Sequence, residues 1–108
     1  MSLSTNEQAS RSLAIKIISQ DTELMAKMYR KSIQASEIYL IFRQRLALYD
    51  KASRMPLTEI DRLLLESKKT EIGIELKMFR FKQNIEEELS QVSSRLEELE
   101  GQLATLKK

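Results

Sequence analysis

Glu71 and Glu75 stand four residues apart, a spacing that sets two carboxylates on one face of a helix. Such a pair can share a proton or begin a cation site. Nothing in the chain completes either use. Histidine is absent, which removes the commonest general base and the commonest metal ligand. Cysteine is absent too, which excludes thiolate zinc and iron–sulfur sites. A di-iron bundle needs Glu-x-x-His from two helices and cannot be built here. The serines have no histidine partner and no Gly-x-Ser-x-Gly turn. Lys68-Lys69 would act as an amine nucleophile only if desolvated, and adjacent lysines on a helix read as solvated surface. Gly73 and Gly101 are too far apart to cradle a phosphate. The carboxylates therefore read as a wet helix face, and the chain is expected to be no enzyme and to use no metal or cofactor.

Binding is the remaining class, and charge sorts its kinds. Eighteen basic and sixteen acidic side chains leave a formal +2, too weak a field to imply a nucleic acid or anionic membrane. The basic residues do cluster, with Arg43, Arg45, Lys51 and Arg54 in one stretch and Lys68, Lys69, Lys77, Arg80 and Lys82 in another. A small helical hairpin binding RNA across one face is accordingly the alternative reading. It lacks a zinc finger, an aromatic RNP box or a helix-turn-helix turn, so flanking a helical core is the better account of those charges. An interfacial membrane helix would need one apolar face opposite a uniformly basic one, and neither segment is so divided. The longest apolar run, Ile38 to Phe42, is far too short to span a bilayer. The polar start Met1-Ser2-Leu3-Ser4 has no apolar stretch of a signal peptide, which makes a cytoplasmic setting the default expectation.

The elements that carry these residues are helices. Two glycines and one proline in 108 residues allow few chain reversals. Ser4 with Glu7 three residues on is a capping-box pattern. From Ala14 a row runs through Ile18, Asp21, Met25, Met28, Ser32, Ala35, Tyr39, Phe42, Leu46 and Tyr49 in steps of four and three. That 3.5-residue period predicts a coiled-coil arm over about 5–53, with Asp21 and Ser32 as its weak points and a short break at Ser19–Thr22 as the alternative. Pro56 ends the arm and places a connection at about 50–57. Thr58 followed by Asp61 predicts the cap of a second arm over about 58–107. Ile72, Ile74, Leu76 and Met78 alternate like a strand, but no hairpin turn supplies a partner, so helix is preferred.

The second arm ends in the most regular stretch: Ile85, Leu89, Val92, Leu96, Leu99, Leu103 and Leu106 fill seven successive core positions. Glu86, Glu87, Glu88, Arg95, Glu97, Glu98 and Glu100 lie outside them. Upstream the row recovers Ile74, Met78 and Phe81 only after a four-residue slip, a stutter near residue 85. The expected fold is all-α: one domain over 1–108, a long antiparallel helical hairpin dimerising into a four-helix arrangement. Arm one carries a surplus, since Ile38, Tyr39, Leu40, Ile41 and Phe42 point around its whole circumference at about 100° each. A single antiparallel helix covers one side only. The candidate interface is therefore Ile38, Tyr39, Ile41, Phe42, Tyr49, Phe79 and Phe81, continuing through Ile85, Leu89, Val92, Leu96, Leu99 and Leu103. The expected partners are a further copy of the chain, another helical protein, or both, in the manner of an adaptor, a chaperone or an assembly subunit.

Overall fold

The computed structural model describes residues 4–107. Three helices account for most of them: α1 (Thr5–Lys27), α2 (Ala35–Ala52) and α3 (Glu59–Leu106). No strand occurs among the described residues, and Ile72 to Met78 lie inside α3. Nor is any described helix long and apolar enough to cross a membrane. The chain divides into two compact units, the first ending at Leu76 and the second beginning at Lys77.

Local signals start the first and last helices. The Ser4 hydroxyl accepts from the Glu7 backbone N–H at 3.2 Å, satisfying a donor that the opening turn of α1 leaves unpaired. Thr58 does the same for α3, its Oγ1 accepting from the Asp61 N–H at 3.3 Å. Between α2 and α3, Arg62 closes the connection by donating to the backbone carbonyls of Ser53 and Met55.

The stretch expected as one arm over about 5–53 is two helices, and this corrects the sequence reading. The break falls at 28–34, not at Ser19–Thr22. Ser32, one of the two weak points of the row, adopts a left-handed backbone with φ 61. Neither glycine nor proline marks the place. Its cause is long-range: Asp21 of α1 bonds Arg45 and Tyr49 of α2. On one continuous helix 24 residues would separate Asp21 from Arg45 by about 36 Å.

The first unit's core follows from this reversal. Ser10, Ala14, Ile17 and Asp21 form the buried stripe of α1, at helical spacing. Ile41, Phe42, Arg45, Tyr49 and Ala52 are the buried residues of α2. Asp61, Leu65 and Ile72 are those of α3. Apolar burial at the centre of these stripes supplies the stabilisation, on the order of 2 kcal/mol per large side chain.

Truncating Ile72, only 2% exposed, tests that core. Ile72→Ala is expected to lower stability by about 2–4 kcal/mol in urea unfolding. Leu63→Ala, at a position 58% exposed, should change it by less than about 0.5 kcal/mol. Equal losses would mean that α3 does not bury the face described.

Candidate interaction surface

Two polar clusters fix the first unit. At one, Asp21 receives Arg45 Nε on Oδ1 at 2.5 Å and the Tyr49 hydroxyl on Oδ2 at 2.6 Å. Arg45 also donates to Glu75 at 3.3 Å and to the Met28 sulfur at 3.6 Å, and lies 5.9 Å from the centre of the Phe42 ring. Glu75 brings α3 into a contact that already joins α1 and α2. At the other cluster, Asp61 accepts from Ser10 at 2.6 Å and from Arg11 at 2.9 Å. The Thr58 N–H donates to Ser10 Oγ at 2.8 Å, so the cap of α3 is tied to α1. No buried side-chain nitrogen or oxygen among the described residues lacks a partner.

Environment shifts three of these groups. Burial, then the hydrogen bond to Asp21, pushes the Tyr49 phenol well above its ordinary value. Burial works against the charge on Arg45, but the bonds and charges of Asp21 and Glu75 outweigh it and hold the guanidinium above its usual range. The Ser10 hydrogen bond, against some burial and with help from Arg11 and Thr58, holds the Asp61 carboxyl below the usual carboxylate value. All three shifts favour the form that the hydrogen bonds require. The hydrogen bonds of each cluster run between helices and hold them in register.

The surplus apolar residues of the first arm are largely taken up within the first unit. Ile41, Phe42 and Tyr49 are buried, Ile38 and Tyr39 are half-buried, and Leu40 stays exposed. Two neighbouring helices, where one was expected, account for the difference. The basic stretches are divided in the same way. Arg45 is inside, 3% exposed, and out of reach of a phosphate backbone, while Lys69 pairs with Asp50.

The second unit is the opposite case. Phe79 is half-buried, whereas Phe81 is 67% exposed and Met78 equally so. Ile85, Leu89, Val92, Leu96, Leu99, Leu103 and Leu106 are all exposed in turn. Lys77, Met78, Phe79, Phe81 and Lys82 line an open apolar dish at the start of this unit. Nine large apolar side chains thus stand exposed in one helical row. Arg95 pairs with Glu98, three residues along the same helix. The chain matches no known protein family, no curated protein and no solved structure.

Removing one partner of the inner cluster should show its role. Arg45→Ala leaves the Asp21 carboxylate buried without its cation, with the Tyr49 hydroxyl still donating to it, for an expected loss of about 3–5 kcal/mol in denaturant unfolding. Asp21→Leu combined with Arg45→Met should lose clearly less than Arg45→Ala alone. A double variant worse than the single one would deny that charge compensation governs the site.

Stability should also fall at both ends of the pH scale. Tyr49 is raised above its ordinary 10.0, so its contribution is present below pH 10.0 and is lost as pH climbs past it. Asp61 is lowered beneath 3.8, so its contribution is present above pH 3.8 and is lost as pH drops through the folded value. In thermal melts across pH, Tyr49→Phe should flatten the alkaline limb and Asp61→Asn the acid limb. Limbs unchanged by these substitutions would remove both groups from the account.

Proposed function

We propose that the chain is a non-enzymatic protein–protein interaction module, an adaptor, chaperone or assembly subunit, that acts by coiled-coil pairing through the second unit. One observation carries this: the uncovered apolar row from Met78 to Leu106. The nine side chains expose on the order of 1,000 Å², where a monomer usually leaves open only a few hundred. A helix in a protein draws most of its stability from packing its apolar face, and this one leaves that face exposed. The row is two positions wide, which suits a helix laid along it more than a sheet or a small molecule.

The first unit is the part that folds on its own contacts and presents this helix. In this reading the helices pair between chains to make the wider helical arrangement expected from the sequence. RNA binding is weaker support for the same surface, because the basic stretches are split between buried, paired and exposed positions.

Leu96→Asp places a charge in the middle of the row. It should abolish association measured by sedimentation equilibrium, by the equivalent of about 3 kcal/mol or more. The urea transition of the first unit, followed by tyrosine absorbance, should stay where it was. Binding to a fluorescent RNA at physiological salt, lost on reversing Lys68 and Lys77 but untouched by Leu96→Asp, would overturn the proposal in favour of nucleic acid.

A further inference from the structure

We infer that the row on the second unit is covered by a second copy of this chain, parallel and in register over 78–106. This rests on the coiled-coil reading above and names its occupant. Three observations select it.

The first is area. Two copies of the exposed row bury roughly 2,000 Å² in total, the upper part of the standard range for a specific interface, so a second copy suffices.

The second is the step pattern. Met78, Phe81, Ile85 and Leu89 are separated by three, four and four residues, and strict alternation of three and four follows. The repeated four is a stutter, which shifts the row around the helix. In a parallel pair aligned in register each residue meets its own equivalent. The shift then occurs at the same level on both helices and every layer survives. A partner with an unbroken heptad repeat falls out of step there.

The third is charge. With Leu89, Leu96 and Leu103 at the first core position and Val92, Leu99 and Leu106 at the second, Arg95 and Glu100 flank the seam on opposite sides. In the parallel pair Arg95 of each chain comes beside Glu100 of the other, twice by symmetry. Glu88 comes beside Ser93 and Gln102 beside Lys107, so no like charges meet. Antiparallel pairing over the same layers sets Glu86 beside Glu100 twice, which offsets what Glu88 and Arg95 would gain.

Sedimentation equilibrium on the full chain at micromolar concentration should give twice the chain mass. Arg95→Glu sets two acidic pairs across the seam and should weaken the dimer roughly tenfold. The swap Arg95→Glu with Glu100→Arg should restore it. Orientation is read with single cysteines, since the natural chain has none. Leu103→Cys should oxidise to a disulfide-linked dimer, because facing core positions lie within bridging distance in a parallel pair. Mixing Leu103→Cys with Phe81→Cys should give no mixed dimer, the product that antiparallel pairing would favour. A mixed dimer, a swap that fails to restore, or a mass other than two chains overturns the inference. A monomer whose co-purifying host protein is lost on Leu96→Asp also overturns it, yet leaves the interaction-module reading standing. A monomer unaffected by Leu96→Asp in both assays overturns both.

Discussion

A carboxylate closes one end of a stripe that must be buried. Asp21 follows Ala14 and Ile17 on the inner face of α1 and is 8% exposed. Moving such a charge out of water without compensation costs several kcal/mol, more than a small helical unit can lose. The compensating groups, Arg45 and Tyr49, lie far along the chain, so α1 has to end and α2 has to return beside it. Glu75 then shares Arg45 and fixes the level at which α3 passes. The other end of the α1 stripe repeats the device, with Ser10 and Arg11 meeting Asp61. Eleven residues separate Ser10 from Asp21, about 16 Å along a helix. Two polar contacts at that separation, with apolar packing between them, leave the three helices one register. A purely apolar stripe would have tolerated sliding by a turn.

Much of this fold is legible in the residues, for identifiable reasons. Helix against strand at Ile72 to Met78 is decided by the lack of any hairpin turn. Ser4 and Thr58 are readable as caps because capping is a local interaction over three residues. The apolar row from Ile85 to Leu106 is equally plain, since its period and its lack of polar interruptions need no tertiary information. The break at 28–34 is different in kind. Met28 and Ser32 continue the four-and-three row, and no glycine or proline announces a turn. A serine is able to take a left-handed backbone at modest cost when distant contacts demand it. Those contacts are Asp21 with Arg45, and no local pattern contains them. The available signal was chemical, not periodic: an acid at one core position and an arginine beside Tyr49 at another, each intolerable in a core alone.

That misreading propagates to the candidate surface. Treating 5–53 as one helix leaves Ile38 to Phe42 with too few neighbours, and the surplus then looks like a docking face. Folding the arm back supplies a second neighbour and takes up Ile41, Phe42 and Tyr49. It also explains why Arg45 resembled part of a basic patch, because its charge serves the interior. The large apolar residues from Phe81 onward are exposed. The candidate surface therefore narrows to the segment where the sequence pattern is simplest.

The two units differ in how they specify a partner. Inside the first, buried polar groups discriminate among alignments, and each alternative register would strand a charge. From Ile85 to Leu106 the second offers no polar core position to play that part. Apolar layers of leucine, isoleucine and valine attract almost any similar helix, so discrimination falls to features at the margin: the stutter near residue 85 and the flanking Arg95 and Glu100. These are weak individually, about 0.2–1 kcal/mol for an exposed ion pair. They act twice in a symmetric pair and add to the loss of a whole layer when the stutter is unmatched. In the proposed pair, order in this helix and association are one equilibrium, because the face that would stabilise it is the face that would pair. Dilution should consequently loosen the second unit while leaving the first, which carries its own charge-compensated core, intact.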